Sequence, residues 1–299
     1  MKDRIIINEV GPRDGLQSQD GALTLDQRFA FVEAVLDAGI RHCEMGSFVS
    51  PKAVPQMAGT GDLARRLGHR EGVELSALVP NMKGYELARD AGVNTMAVVV
   101  SATETMNQKN INLSMEQTLE VARAVIERGH GDGNRVQAYL AVAFECPFEG
   151  SVDPGYVRSL AAQLLEAGAS ELVIADTIGA ANPAQVKSLM SALGDEHDSA
   201  QLACHFHDTR ALGLANIFAA MESGIRRFDA SVGGLGGCPF APGAKGNVAT
   251  EDVVMMAEQM GFTTGVDMPA LLGVVNLMSE MLGRPQGGRA HYWLTRNAA

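Results

Sequence analysis

Aromatic residues are scarce in this chain, 5% of 299 residues with a single Trp, while Gly reaches 33. Such a composition points to small-residue packing and many tight turns. Cations are in deficit as well: 24 Lys and Arg face 35 Asp and Glu, a net charge of −11. That balance argues against a protein that tracks nucleic-acid phosphates and against docking on an anionic membrane. A phosphorylated cofactor is not excluded, because it needs only a local cluster of cations. The four cysteines (Cys43, Cys146, Cys204 and Cys238) are far apart, with no C-x-x-C pair and no zinc-ribbon spacing. Disulfides are permitted by the even count, yet a chain this long does not need them. No segment approaches the roughly 18 apolar residues that span a bilayer. The opening Ile5-Ile6-Ile7 breaks at Asn8-Glu9, too short for a signal peptide, and reads as a strand. The expectation is a reduced, soluble, cytoplasmic protein with no nucleic-acid or membrane partner.

No Pro/Ser-rich linker or charge block divides the chain, and its 46% hydrophobic content excludes disorder. Length alone favours two domains, but α/β barrels reach this size as one unit. Eight short runs rich in Ile and Val read as strands: 5–10, 42–45, 73–79, 95–100, 135–143, 171–175, 202–207 and 228–232. Amphipathic stretches such as 25–38, 115–128 and 183–193 lie between them. Several stop at Ala-Gly or Ser-Gly (Gly39, Gly92, Gly168, Gly224), and starts are marked by Thr24, Ser114 and Asn182-Pro183. Repeated βα units without hairpin signals imply a parallel sheet, and eight of them favour a (β/α)8 TIM barrel. The expected organisation is an α/β barrel over 1–283, including a short C-terminal helical extension near 268–282, and a loosely held tail over 284–299.

Barrel enzymes place their chemistry where strands run into the following loops. Strand one ends in Gly11-Pro12-Arg13-Asp14-Gly15, a cation and an anion side by side. Taken alone, such a pair is more often a solvated turn. Glu44 ends strand two, either as a buried acid bonded to backbone or Arg13, or in a direct role. On strand seven, His205 and His207 are two apart and project to the same face, which suits a divalent metal. Asp208 reads as a cap for the next helix. After strand eight, residues 233–247 carry six glycines, with neither a Walker A nor a dinucleotide fingerprint. This loop brings Cys238, a thiol able to donate a proton if suitably tuned, and Asn247 to the mouth. Together Asp14, His205, His207 and Asn247 form an oxygen and imidazole set that suits Mg²⁺ or Mn²⁺ better than zinc. Arg13 beside it would stabilise an oxyanion such as an enolate. Making or breaking a carbon–carbon bond next to a carbonyl is one chemistry consistent with that set.

These motifs carry a family resemblance. Val10-Gly11-Pro12-Arg13-Asp14-Gly15-Leu16-Gln17, Ser47-Phe48-Val49-Ser50-Pro51-Lys52, His205-Phe206-His207-Asp208-Thr209 and Gly234-Leu235-Gly236-Gly237-Cys238-Pro239 resemble the 3-hydroxy-3-methylglutaryl-CoA lyase family. The similarity covers nearly the whole chain, including Asp176-Thr177-Ile178-Gly179 and Gly246-Asn247-Val248-Ala249-Thr250. It implies a metal-dependent retro-Claisen lyase that cleaves a 3-hydroxyacyl-CoA to acetyl-CoA and a keto acid, acetoacetate for the namesake substrate. By the same match Asp14, His205, His207 and Asn247 would bind the divalent cation. Arg13 would stabilise the enolate, Cys238 would take part in proton transfer, and Glu44 would support the site through hydrogen bonds. Either Asp14 or a neighbouring histidine such as His205 would take the hydroxyl proton. Coenzyme A enters as part of the substrate, with Lys83 and Lys109 as candidate contacts, though each taken singly reads more readily as a solvated surface lysine. A homodimer is the candidate assembly and leucine degradation the setting.

Two departures bear on the acyl group. The family usually has aromatic-Gly-Gln where this chain has Arg210-Ala211-Leu212, and Gly where Glu145 precedes Cys146-Pro147. Either the acyl group differs from 3-hydroxy-3-methylglutaryl, or the two charges pair with each other or with solvent. Competing readings are a condensing synthase, an aldolase acting without CoA, and a non-catalytic metal- or CoA-binding relative.

Overall fold

The computed structural model describes residues 3–237 and 246–297. Eight parallel strands close on themselves: β1 (Ile6–Glu9), β2 (His42–Ser47), β3 (Glu74–Leu78), β4 (Thr95–Ser101), β5 (Arg135–Ala141), β6 (Glu171–Asp176), β7 (Leu202–Phe206) and β8 (Arg227–Ala230). Neighbours in the ring follow chain order, and β1 pairs with both β2 and β8 to seal it. All eight expected strands are present, each trimmed or extended by one or two residues. The (β/α)8 barrel is therefore the fold.

Helix starts follow the local chemistry. Thr24, Ser114 and Asn182 each cap the next helix and close a capping box with a Gln three residues on. Apolar stripes such as Phe31, Val32, Val35 and Leu36 of helix Leu25–Asp37 pack on the outside of the sheet. Inside the ring sits a separate, smaller apolar cluster of Ala97, Tyr139, Val173 and Ala203. Among the described residues no helix is long and apolar enough to cross a membrane.

The lower end of the barrel is closed by charge pairs, Arg227 with Glu171 and Arg135 with Glu74 at 3.1 Å, and His42 Nδ1 lies 3.5 Å from Glu74. Two helices were not legible in the sequence. Thr60–Leu67 follows Gly59 and contains Gly61, which read as breakers, yet it buries Leu63, Ala64 and Leu67. Glu104–Ile111 is too polar to show a stripe. A short antiparallel hairpin, Glu145–Cys146 with Gly150–Ser151, sits beyond β5.

Residues 284–290 are held firmly, contrary to the expected loose tail. Glu251 accepts from the Gly288 amide at 2.7 Å, and Asp252 accepts from the amides of Arg289 and Ala290 at 2.6 and 2.9 Å. Arg289 also reaches Asp208 at 2.7 Å, and Arg284 reaches Gln19 at 2.5 Å. Composition alone hid these anchors, because they are carboxylates and an amide from distant segments. A last helix, His291–Asn297, follows.

Candidate active site

Beyond β1 the chain makes one wide helical turn over Gly11–Gly15, with the amides of Arg13, Asp14 and Gly15 all directed at the Val10 carbonyl. Gly11 is required here, because a Cβ would lie 2.4 Å from Glu9 Oε1. Glu9 pins the turn: Oε1 accepts from the amides of Gly11 and Val232, both at 2.9 Å, and Oε2 from the Thr250 hydroxyl at 2.5 Å. Full burial pushes its pKa up to about 8, against the pull of those donors.

This turn aims Arg13 and Asp14 inward. Arg13 is buried and donates from Nε to Glu44 Oε2 and from Nη1 to Asp14 Oδ1, each at 2.6 Å. The pair is thus no solvated turn contact, and of the two readings of Glu44 the buried acid bonded to Arg13 is the one realised. Burial raises the Glu44 pKa to about 7, with Arg13 opposing. Glu44 Oε1 is buried with no partner.

β7 delivers the histidines. His205 lies within the strand and His207 one residue past its end, with ring centroids 5.1 Å apart. His207 bridges to Asn247, whose segment returns from the glycine-rich loop and lies beside the end of β7. Two glycines permit that return. A Cβ on Gly246 would fall 2.4 Å from the Gly236 backbone, and one on Gly236 would fall 2.6 Å from Asn247 Nδ2. Asn247 then donates to Asp14 Oδ2 at 2.8 Å and to the Leu235 carbonyl at 2.9 Å.

One donor atom each from Asp14, His205 and His207 lies within 4.8 Å of the others. Asn247 Oδ1 is buried there without a hydrogen-bond partner, and His207 Nε2 faces Asp14 Oδ2 at 4.0 Å. Buried polar atoms are normally satisfied, so an orphaned acceptor beside a carboxylate and two imidazoles marks a place for a cation. Electrostatics agree. Burial disfavours the Asp14 carboxylate, but Arg13, His205, His207 and the Asn247 amide outweigh it and hold its pKa at about 2. Burial, then the neighbouring His205, pushes His207 down to about 4, so it is a neutral ligand at pH 7. Burial also works against His205, but the Asp229 carboxylate prevails and raises it.

Arg13, Asp14, Glu44, His205, His207 and Asn247 thus form one connected set. Lys83 and Lys109 do not join it. Both are exposed, and both lie on helices, Met82–Asp90 and Glu104–Ile111, rather than in the loops expected for them. Cys238 lies outside the described residues. Asp208 is not the cap residue of helix Gly213–Glu222, which is Leu212, but it accepts from that helix's first amide at 3.1 Å and also holds Arg289. Arg210 and Glu145 pair with each other at 3.3 Å, both partly exposed. Sequence reasoning missed Glu9, Asp229 and Asp176. Asp176 ends β6, accepts from the amides of Ala180 and Ala181, and is raised to about 6 by burial. An acid interrupting an apolar strand is the one signal each offered.

Comparison with known proteins matches this geometry. A family model described as HMGL-like covers residues 4–278. Hydroxymethylglutaryl-CoA lyase of Pseudomonas mevalonii is 41% identical over 97% of both chains. (R)-citramalyl-CoA lyase of Chloroflexus aurantiacus is 40% identical over 95% of this chain and 92% of its own. A solved HMG-CoA lyase from Acinetobacter baumannii, in complex with coenzyme A and 3-methylmalate, superposes with a TM-score of 0.93 at 37% identity, covering 97% of this chain and 95% of that one. With its closed barrel and its carboxylate–imidazole cluster at the mouth, the chain belongs to the hydroxymethylglutaryl-CoA lyase family and is a carbon–carbon lyase for a CoA-linked substrate.

Proposed function

We propose that this enzyme is a divalent-metal-dependent lyase that cleaves 3-hydroxy-3-methylglutaryl-CoA, or a close analogue, to acetyl-CoA and a keto acid, acetoacetate for the methylglutaryl compound. The observation that carries this reading is the convergence of Asp14, His205 and His207 beside a buried Arg13. Asp14, His205, His207 and Asn247 would hold Mg²⁺ or Mn²⁺. When bound, the cation supplies Lewis acidity that makes the substrate's tertiary hydroxyl easier to deprotonate.

The remaining work falls to side chains. Asp14 and a neighbouring imidazole are the candidates to take the hydroxyl proton, and a pKa lowered to about 2 makes Asp14 a weak base on its own. Cleavage leaves an enolate on the thioester. Arg13 spends Nε on Glu44 and Nη1 on Asp14, so its guanidinium is fixed before substrate arrives and would offset the developing charge without reorganising. We place Cys238 as the acid that protonates the enolate, since it shares the glycine-rich segment with Asn247. Lys83 and Lys109 are retained as candidate contacts for the CoA phosphates. The Arg210–Glu145 pair accounts for both departures from the family pattern without a change of acyl group, which favours the methylglutaryl substrate.

The test is to incubate the enzyme with 3-hydroxy-3-methylglutaryl-CoA and Mg²⁺ and to follow acetyl-CoA and acetoacetate. Activity is expected to vanish with EDTA and return with excess Mg²⁺ or Mn²⁺. Chelator-resistant turnover would refute the metal requirement. A clear preference for citramalyl-CoA in a panel of 3-hydroxyacyl-CoA thioesters would move the assignment to that acyl group.

A further inference from the structure

The two histidines of the cluster are supported differently. β8 lies between β1 and β7, and its Asp229 is in register with Asn8 on one side and His205 on the other. Residues in register on neighbouring parallel strands present their side chains to the same face. His205 projects to the interior, so Asn8, Asp229 and His205 form one lateral row across three strands inside the barrel. All three are more than nine-tenths buried. Within the row, Asp229 Oδ1 accepts from Asn8 Nδ2 at 2.8 Å, and Oδ2 lies 3.0 Å from His205 Nδ1. Both carboxylate oxygens are therefore engaged, one by an amide that fixes the carboxylate and one by the imidazole.

A carboxylate only accepts, so the proton on the neutral His205 ring sits on Nδ1, and Nε2 carries the lone pair. His207 has no such partner: its Nδ1 is buried without a hydrogen bond. We infer that Asp229, anchored by Asn8, is a positioning residue that sets the tautomer and rotation of His205 before a cation binds, whereas no side chain among the described residues holds His207 Nδ1 in the same way. The assignment rests on the proposed divalent-cation site. It also makes the site's preorganisation a property of the row and not of the mouth loops, because none of the three residues lies on a loop.

Two measurements on the holoenzyme and its metal-free form test it. The first is Mn²⁺ affinity by electron paramagnetic resonance. Asp229→Ala is expected to weaken binding by about 10–100-fold, the usual cost of losing a group that orients a metal-ligating histidine. Asn8→Ala should weaken it severalfold. Asp229→Asn should fall between wild type and Asp229→Ala, since its amide oxygen still accepts from Nδ1. The second is the ¹⁵N spectrum of the metal-free protein, with the His205 signals assigned by difference from His205→Gln. Wild type should show the Nδ1–H tautomer, and Asp229→Ala a mixture. Mn²⁺ affinity within twofold of wild type in folded Asp229→Ala, or an unchanged His205 tautomer, would overturn the inference. If Asp229→Ala does not fold, Asp229→Asn and Asn8→Ala decide it by the same criteria. Absence of Mn²⁺ binding by wild type would instead sink the proposed function, and the tautomer would still judge the row.

Discussion

The two ends of the barrel both carry buried charge, but they close in opposite ways. At the lower end charges meet charges: Arg227 faces Glu171, and Arg135 faces Glu74. At the mouth the pairing is left incomplete. Arg13 is shared between Glu44 and Asp14, while Asn247 Oδ1, His207 Nδ1 and Glu44 Oε1 have no partner. A buried polar atom without a hydrogen bond costs about 1–3 kcal/mol. The lower end leaves buried atoms unpaired as well, Gln137 Oε1 and Ser76 Oγ among them. What sets the mouth apart, among the described residues, is that its unpaired acceptors stand beside a carboxylate and two imidazoles close enough to share one cation.

Breaking the mouth should abolish chemistry. Asp14→Ala is expected to lower kcat/KM by at least about 10³-fold, as removal of a group acting within a catalytic unit does. Its thermal midpoint should fall as well, because Arg13 Nη1 and Asn247 Nδ2 each lose a partner. Steady-state kinetics beside a melting curve checks both halves. Breaking the lower end should cost stability and spare chemistry. Arg227→Met leaves Glu171 buried without its cation, which should cost about 3 kcal/mol in urea unfolding while kcat stays within about twofold.

Glu9 sharpens the comparison through pH. Its folded-state pKa, about 8, lies above the ordinary 4.5. A group raised in this way contributes stability that is fully present below pH 4.5 and is lost as pH rises through 8. Urea midpoints of wild type should therefore fall relative to Glu9→Gln across that window, and a parallel pair of curves would contradict the assignment. The smallest effect belongs to the rim. Arg210→Ala breaks an exposed ion pair and should change stability by less than about 1 kcal/mol. Its activity on the methylglutaryl substrate should stay within about threefold, and a larger loss would show that Arg210 contacts substrate.

Much of this was legible in the sequence because it is written in local patterns. Apolar runs marked all eight strands, four of them preceded by an Ala-Gly or Ser-Gly stop, and Thr24, Ser114 and Asn182 marked helix starts. The residue types of the cluster were legible too, since His205 and His207 sit two apart on one strand and Asp14 sits at a strand end. Lateral registry escaped sequence reasoning. Asp229 and Asn8 are 221 positions apart, and only the closure of β8 against β1 makes them neighbours. The tail escaped for the same reason: its Gly and Arg content reads as loose until Glu251, Asp252 and Asp208 are seen to grip it.

The seam between β8 and β1 has a consequence for how the enzyme comes into being. In synthesis Asp14 precedes its hydrogen-bond partner Asn247 by 233 residues. The two histidines also arrive late. A nascent chain can therefore build six strands and most of their helices with Arg13, Asp14 and Glu44 in place and both histidines still missing. The donor set is complete only once the final strand has locked the ring and Asn247 has returned beside His207.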